Sequence, residues 1–221
     1  MDFKTLDPRK IRDLRPLVLD AGGDLRIMPA SFYASTTVLE RAMLGTQIGA
    51  YGLPTEELVS WLRTVTIGRS CIEIGAGNGV LAKAVGITGT DNFLQIRSDV
   101  RSYYAALGQP LIPYADHLER LEAEQAVRTH RPDIVVASWV THLYDERRPA
   151  AGGNMYGVDE DWVLDNCQTY IFIGNEHVHR DKSIWARPHV KFTPSWLFSK
   201  AHNGSSDFIA IWGKQPETLP V

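Results

Sequence analysis

The residues of this sequence that could do chemistry gather around a glycine-rich turn between a predicted strand and a predicted helix. The apolar run 71–74 leads into Gly75, Gly77 and Gly79, and apolar residues at helical spacing follow from Val80. Glycines let the backbone adopt positive φ angles and approach a ligand closely, while a helix N-terminus presents unpaired N–H groups to polar ligand atoms. The turn therefore predicts a binding site for a nucleotide-like ligand.

The spacing of the glycines separates two classes of ligand. A dinucleotide-binding turn reads G-x-G-x-x-G, which places a pyrophosphate on the helix N-terminus, whereas this turn reads Gly75-x-Gly77-x-Gly79. Together with Glu73 before the turn and Asp91 closing the next extended segment, the pattern resembles motif I of class I S-adenosylmethionine-dependent methyltransferases. A nicotinamide or flavin domain, and a fold relative that has lost its ligand, remain as alternatives.

The resemblance implies S-adenosylmethionine as the cofactor. In the family, the glycine turn passes under the methionine and ribose, and the acidic residue after the second strand accepts hydrogen bonds from both ribose hydroxyls. A polar residue near the end of the third strand meets the adenine, a role that we assign to Asp116, although a helix N-cap explains this residue equally well. The expected cofactor-binding residues are Glu73, Gly75, Ala76, Gly77, Gly79, Asp91, Asn92, Asp116, His117, Ser138 and Trp139.

The order of the apolar segments predicts an α/β protein. Residues 134–139 and 169–174 are almost continuously apolar, as in parallel strands that are buried on both faces. The third strand is expected near residues 109–114, before a helix over 118–127. Two antiparallel strands, near 188–190 and over 207–212, are expected to close the sheet. The resemblance implies a three-layer Rossmann-like methyltransferase fold, with a mostly parallel seven-stranded sheet, a C-terminal antiparallel strand and an N-terminal helical extension.

The chain is expected to divide near residue 53. Residues 1–53 should form a helical extension or cap, with an N-cap and a helix start predicted at Asp7-Pro8, and residues 54–221 should form the methyltransferase-like domain. In the family, the segment before the core lies over the cofactor and builds part of the substrate pocket. That resemblance makes three residues candidates for substrate binding, against the alternative of simple packing: Tyr33, Arg41 and Tyr51.

Three histidines follow the predicted central strands. His142 lies beyond the strand at 134–139, and His177 and His179 lie beyond the strand at 169–174. Open α/β sheets place their chemistry outside the carboxyl ends of the strands. We therefore expect these histidines on one rim, where one could act as a base if the methyl acceptor must lose a proton. The alternative is that all three are structural or solvated.

Other polar residues of this rim are candidates for substrate binding: Tyr144, Asn154, Tyr156 and Glu176. The loop over residues 150–157 contains three glycines and should be mobile or tightly turned. Alternate residues of an extended segment face the same way, so Glu176, His177 and His179 could also hold a metal ion. We nevertheless predict a site without a metal.

The composition limits the classes of function. The chain has 221 residues, of which 44% are hydrophobic, and a formal net charge of -3. This size supports one sizeable core, and the charge lacks the basic excess of proteins that neutralise nucleic-acid phosphates. The two cysteines form no C-x-x-C motif, and no apolar run is long enough for a membrane span. We expect a cytoplasmic protein whose partner is neither a nucleic acid nor a membrane.

The leading hypothesis is methyl transfer from S-adenosylmethionine to an O, N or S atom of a small molecule. Residues 137–140 read Ala-Ser-Trp-Val, where the family's amino-methylating enzymes of nucleic acids and of protein glutamine carry D/N-P-P-Y/F/W. One alternative is a non-catalytic or regulatory relative that keeps the fold. Another, a nicotinamide oxidoreductase, is disfavoured by the glycine spacing. The identity of the acceptor and the oligomeric state stay open.

Overall fold

A seven-stranded sheet organises the structure, a computed structural model that describes residues 10–106 and 111–220. The strands are β1 (Gly52–Leu53), β2 (Cys71–Ile74), β3 (Thr88–Asp91), β4 (Glu119–Arg120), β5 (Ile134–Ser138), β6 (Thr169–Asn175), β7 (His189–Phe192), β8 (Phe198–Ser199) and β9 (Asp207–Gly213). β1 and β8 pair separately, and the other strands lie in the order β4-β3-β2-β5-β6-β9-β7.

The helices are α1 (Arg15–Val18), α2 (Ala30–Ala34), α3 (Val38–Ile48), α4 (Glu56–Thr66), α5 (Val80–Val85), α6 (Ser98–Ala106), α7 (Ala123–His130) and α8 (Glu160–Asp165). Short 3₁₀ turns occur at Leu94–Ile96, Pro149–Ala151 and Ser183–Ala186. No helix within residues 10–106 and 111–220 is long and apolar enough to cross a membrane.

The strand directions confirm the predicted fold. β2 pairs in parallel with β3 and β5, β3 pairs in parallel with β4, and β5 pairs in parallel with β6. β9 lies between β6 and β7 and is antiparallel to both. The sheet is therefore the mostly parallel seven-stranded sheet of a Rossmann-like methyltransferase fold, with a C-terminal antiparallel strand. One detail differs from the prediction of two antiparallel strands at the end of the chain. β7 runs in the same direction as β6, so only β9 is reversed relative to the parallel strands of this sheet.

The central strands are buried on both faces because successive side chains point to opposite sides. Ile134 and Val136 of β5 pack in one apolar cluster with α4 and α5. Val135 and Ala137 of the same strand pack in a second cluster with α7 and α8. This alternation explains why the strand reads as a continuous apolar run, and it confirms the layers of helix, sheet and helix.

The described part of the N-terminal segment has its own apolar cluster, which includes Leu14, Tyr33 and Leu44. Helix α3 begins with a capping box, in which the Thr37 hydroxyl accepts the Glu40 N–H and the Glu40 carboxylate accepts the Thr37 N–H. The segment joins the rest of the chain where β1 pairs with β8. Asp7-Pro8 lies outside the described residues, and the division at residue 53 stays a prediction.

The third strand lies later in the chain than the sequence suggests. Residues 111–115 form no regular element, residues 107–110 lie outside the described part, and the strand is Glu119–Arg120. Pro113 has no N–H to donate to a strand ladder. Helix α7 accordingly starts at Ala123 rather than at 118. The predicted strand at 109–114 and the predicted helix at 118–127 are therefore corrected.

Candidate active site

A cavity of about 1150 Å³ opens at the carboxyl ends of the central strands. Its lining includes Gly75 after β2, Asp91 of β3, Ser138 of β5 and Ile173 of β6. Strand order reverses at β2, because the chain moves first to β3 and β4 and then crosses to β5 on the other side. Open α/β sheets bind ligands at this kind of crevice. The cavity is therefore the main candidate for a functional site.

The predicted glycine turn forms the floor of the cavity beside β2. Gly75 and Gly77 both have φ of 59°, a left-handed conformation that side chains strongly disfavour. A Cβ on Gly75 would come within 2.6 Å of a Val140 side-chain atom, so this glycine permits close packing of the loop after β5. A Cβ on Gly77 would find its nearest neighbour, Ile112, at 3.8 Å. Gly77 thus leaves open space where the backbone faces the cavity.

Asp91 ties the glycine turn to the end of β3. Its Oδ2 accepts the Gly77 N–H at 3.0 Å, and its Oδ1 accepts the Phe93 N–H at 2.8 Å. The residue is 8% exposed, and burial raises the pKa of its carboxyl group. Each carboxylate oxygen can accept more than one hydrogen bond. Asp91 can therefore still receive hydroxyl groups of a ligand.

Glu73 is a buried acid beside the glycine turn. It is 2% exposed and lines the cavity, and its Oε2 has no hydrogen-bond partner among the described residues. Burial raises the pKa of Glu73 to about 8, although a backbone hydrogen bond from Ala82 opposes the shift. At neutral pH the group is therefore mainly a neutral carboxylic acid, which can donate a hydrogen bond as well as accept one.

The acidic residue that follows the third strand is Glu122, not Asp116. Glu122 is the N-cap residue of α7 and lines the cavity, and Asn92 Nδ2 donates to its carboxylate at 3.3 Å. Asp116 lies in an exposed turn before β4 and is not part of the lining. Neighbouring His117 packs behind the turn, with its Nε2 3.2 Å from the Gly79 carbonyl oxygen. Asp116 precedes the third strand instead of following it, because β4 lies later in the chain than predicted.

The loop after β5 forms the opposite wall. Trp139 has φ of 63°, an uncommon conformation for a large side chain, and its N–H donates to the Ile173 carbonyl at 2.9 Å. Its ring centroid lies 5.1 Å from that of His179 and 5.9 Å from that of Tyr51. Strained backbone of this kind persists where surrounding contacts enforce it, often at functional sites. The contact with Tyr51 joins the N-terminal segment to this wall.

Two of the three predicted histidines line the cavity. His142 and His179 do so, as expected from the pairing of β5 with β6, whereas His177 is exposed outside it. Burial lowers the pKa of His179 to about 3, and its Nδ1 lies 2.9 Å from the Asn175 amide nitrogen and 3.1 Å from the Asn175 carbonyl oxygen. The backbone of Asn175 therefore engages Nδ1, and the neutral ring is poorly suited to accept a proton.

His142 is arranged differently from His179. Burial and the nearby Lys182 ammonium lower its pKa, and its backbone hydrogen bond is with Ala151. Its Nε2 is buried and has no partner within the described part of the chain. A Cβ on Gly153 would lie 3.0 Å from this nitrogen, so the glycine lets the loop cover it. His142 therefore keeps an unpaired acceptor nitrogen beneath the rim.

The glycine loop over residues 150–157 is tightly turned. The Asn154 N–H donates to the His142 carbonyl, the Tyr144 N–H donates to the Asn154 carbonyl, and the Val158 N–H donates to the Thr141 carbonyl. Asn154 and Tyr156 line the cavity, and Arg97 lies over the Tyr156 ring at 5.0 Å. The loop thus forms an edge of the cavity.

A buried ion pair that the sequence did not indicate supports the rim. Lys182 Nζ lies 2.5 Å from Glu160 Oε2 and donates to the Val140 carbonyl at 2.9 Å. The Tyr170 hydroxyl donates to the other Glu160 oxygen at 2.7 Å. Both charged side chains are almost fully buried, at 1% and 2% exposure. Lys182 therefore fixes the loop between Trp139 and His142.

The remaining substrate candidates lie elsewhere. Tyr33 is fully buried, its hydroxyl has no partner among the described residues, and burial raises its pKa to about 12. Arg41 Nη1 donates to the Tyr33 and Thr36 carbonyls at 3.0 and 2.7 Å, which is a structural role within the N-terminal segment. Tyr144 is 43% exposed, and Glu176 forms a surface ion pair with Lys191 at 3.1 Å.

The cavity brings together thirteen predicted residues: Tyr51, Glu73, Gly75, Ala76, Gly77, Asp91, Asn92, Ser138, Trp139, His142, Asn154, Tyr156 and His179. The structure places the others outside the lining: Tyr33, Arg41, Gly79, Asp116, His117, Tyr144, Glu176 and His177. Further lining residues were missed, among them Tyr104, Tyr114, Glu122, Lys200, His202 and Asn203. The described residues contain no cluster of His, Cys, Asp and Glu that could hold a metal ion.

The solved structures that resemble this chain include methyltransferases, at low similarity. A precorrin-6y C5,15-methyltransferase of Geobacter metallireducens is 12% identical, with 72% of this chain and 89% of that chain covered and a TM-score of 0.37. A ribosomal protein methylase of Lactobacillus delbrueckii is 13% identical, with 72% and 78% covered and a TM-score of 0.35. An rRNA methylase of Streptococcus thermophilus is 10% identical, with 69% and 92% covered and a TM-score of 0.36. No protein-family model and no curated protein matches the sequence.

Proposed function

We propose that this protein is an S-adenosylmethionine-dependent methyltransferase that methylates an O, N or S atom of a small molecule. The observation that carries the proposal is the cavity itself. Its floor contains the glycine turn and Asp91, and its opposite wall contains the two histidines that follow β5 and β6. A cofactor on the floor would therefore lie beside groups that can position an acceptor.

The residues of the floor fit the polar parts of this cofactor. Gly77 leaves open space above the turn, and Glu73 presents a buried oxygen that has no partner in the described part of the chain. Asp91 would accept the two ribose hydroxyls, since its carboxylate is held rigid by two backbone amides. Glu122 lies on the next strand end and would accept the adenine amino group. In these assignments, different residues of the cavity floor would bind the methionine, ribose and adenine parts of the cofactor.

The bound cofactor supplies a methyl group on a positively charged sulfur, ready for in-line displacement. The Trp139 ring, which lines the same cavity, would favour a cation through its quadrupole. Lys182 acts through the backbone, because its bond to the Val140 carbonyl fixes the loop that carries Trp139. The chain thus contributes positioning, which supplies much of the acceleration in a displacement of this kind.

His142 is the best-suited base if the acceptor must lose a proton. Burial keeps its ring neutral at pH 7, and its Nε2 has no partner within residues 10–106 and 111–220. Gly153 covers this nitrogen, so the loop must shift by a small amount for an acceptor to reach it. His179 would instead orient the acceptor through Nε2, because its Nδ1 is engaged by the Asn175 backbone.

A small-molecule acceptor is favoured by the acidic net charge of -3 and by the sequence of residues 137–140. A regulatory protein that binds the cofactor without transferring methyl groups is the second candidate, and the covered nitrogen of His142 is the observation that favours it. The two candidates differ in turnover but not in cofactor binding.

The test is methyl transfer from labelled S-adenosylmethionine to separate small-molecule, RNA and protein fractions of a cell extract. We expect label in the small-molecule fraction with the wild-type protein and none with Gly77→Val, in which the new side chain blocks the turn. Label in RNA or protein instead would overturn the proposed acceptor class. Cofactor binding without label in any fraction would favour the regulatory candidate.

A further inference from the structure

Lys200 is a cation in the wall of the cavity, and no acidic group within residues 10–106 and 111–220 forms an ion pair with it. We infer that the methyl acceptor carries a carboxylate or a similar anionic group that pairs with Lys200. The inference rests on the proposed methyltransferase function and names the class of acceptor for the same site.

The surroundings of Lys200 are those of a binding site rather than of a surface lysine. Its side chain lines the cavity, and its Nζ lies 3.7 Å from the centroid of the Tyr51 ring. Within residues 10–106 and 111–220, Lys200 forms no ion pair, and burial alone lowers its pKa. Partly buried cations are costly without a charged partner. An anionic ligand would supply that partner.

The backbone around Lys200 is held firmly. Its N–H donates to the Tyr51 carbonyl at 2.9 Å, next to the pairing of β1 with β8. The preceding Ser199 donates its hydroxyl to Asp207 at 2.9 Å and accepts the Ala201 N–H at 3.1 Å. A Cβ on Gly45 would come within 2.5 Å of the Lys200 side chain, so α3 packs closely against it. The position of the ammonium is therefore built into the fold.

A row of side chains links Lys200 to the reacting end of the cavity. Lys200 contacts the ring of Tyr51, Tyr51 contacts Trp139, and Trp139 contacts His179. An acceptor lying along this row would place its anionic group at Lys200 and its reactive atom near His179. The aromatic faces between these two ends favour a flat molecule. The geometry therefore points to an aromatic or similarly planar acid.

The carboxylate of the cofactor itself is the other possible partner of Lys200. Lys200 follows β8 and meets the wall beyond β5 and β6, whereas the proposed cofactor contacts lie beyond β2, β3 and β4. The position of Lys200 therefore favours the methyl acceptor, rather than the cofactor, as its partner. Comparing S-adenosylhomocysteine with a cofactor analogue that lacks the carboxylate separates the two sources of the negative charge.

The test uses 4-hydroxybenzoate and 4-hydroxybenzamide, which differ mainly in charge, as probes for protein saturated with S-adenosylhomocysteine. We expect the wild-type protein to bind the acid about tenfold more tightly than the amide, since a charge-assisted contact replaces a neutral one. Lys200→Met should abolish this preference. Lys214→Met, which changes an exposed lysine outside the cavity, should retain it.

Equal affinities for the two probes, or no binding of either at about 10 mM, would overturn the inference while leaving cofactor binding intact. If Lys200→Met weakened S-adenosylhomocysteine but not 5′-methylthioadenosine, which lacks the carboxylate, Lys200 would serve the cofactor and the inference would be wrong. Failure of the wild-type protein to bind S-adenosylhomocysteine would instead refute the proposed function, and the inference with it.

Discussion

The protonation state of Glu73 gives a prediction whose size follows from the structure. Glu73 is 2% exposed, its Oε2 has no hydrogen-bond partner among the described residues, and its pKa is raised to about 8 from an ordinary value of 4.5. Between these two values the folded chain keeps a proton that the unfolded chain releases. The free energy of unfolding should therefore fall as pH rises from about 4.5 to about 8 and level off above that.

The expected loss is on the order of 3 to 5 kcal/mol, because each pKa unit corresponds to about 1.4 kcal/mol. Glu73→Gln keeps the size of the side chain but cannot titrate. It should remove most of this loss, so that the variant gains stability relative to the wild type as pH rises. Buried acids that do not interact with Glu73, such as Asp207, contribute to both proteins equally.

Urea unfolding of both proteins from pH 5 to pH 9 measures this difference directly. Each curve gives a free energy of unfolding, and the difference between wild type and Glu73→Gln is compared across pH. A difference that stays constant from pH 5 to pH 9 would show that Glu73 does not titrate in this window. Burial of Glu73 would then not raise its pKa into this range.

Five further substitutions, two of them controls, test the site. Glu122→Ala should weaken S-adenosylhomocysteine binding about tenfold in calorimetry by removing an acceptor beside the adenine, whereas Asp116→Ala should have no effect. His142→Ala should lower turnover of labelled cofactor about 100-fold with cofactor affinity intact, whereas exposed His177→Ala should turn over normally. Lys182→Met should lower the free energy of unfolding in urea by about 3 to 5 kcal/mol, because it leaves a buried carboxylate unpaired.

Each of these comparisons has an outcome that contradicts it. A loss of affinity in Asp116→Ala but not in Glu122→Ala would restore the role first given to Asp116. Normal turnover of His142→Ala would mean that transfer proceeds by positioning alone. For Lys182, replacing its carboxylate partner as well, in Lys182→Met with Glu160→Leu, should recover most of the stability. Failure to recover it would show that the loss came from packing instead.

The elements that could be predicted from the sequence are those whose information is local. The turn at Gly75 and Gly77 needs residues that tolerate positive φ, and the strand before it needs a short apolar run, so both are visible in adjacent residues. The buried strands β5 and β6 are visible for the same reason. Neighbouring parallel strands end at the same edge of a sheet. The presence of both His142 and His179 in the lining of the cavity could therefore be predicted from their positions after these strands.

The third strand could not be found in this way. Glu119–Arg120 has both residues exposed and lies at the edge of the sheet, so it has no apolar pattern. Its neighbour Leu121 extends the contact with β3 by donating to the Asp91 carbonyl at 3.0 Å. The misplaced strand then led to Asp116, which precedes β4, instead of Glu122, which follows β4 and lines the cavity.

The sequence also did not show which charged side chains the tertiary structure pairs and which it leaves without a charged partner. Lys182 and Glu160 are 22 residues apart and meet only because α8 and the segment after β6 pack together. In the sequence, nothing distinguishes Lys200 from the other six lysines. Its chemistry depends on the pairing of β1 with β8, which brings it over the Tyr51 ring.

Calorimetric titration with S-adenosylhomocysteine, for the wild type and for Asp91→Ala, tests the central claim most directly. We predict one saturable site in the wild type, weaker by about 1.5 to 3 kcal/mol in Asp91→Ala because buried hydroxyls lose a charged acceptor. NADH should not bind, since the glycine spacing does not suit a pyrophosphate. No binding of S-adenosylhomocysteine at millimolar concentration, or an affinity unchanged by Asp91→Ala, would contradict the account.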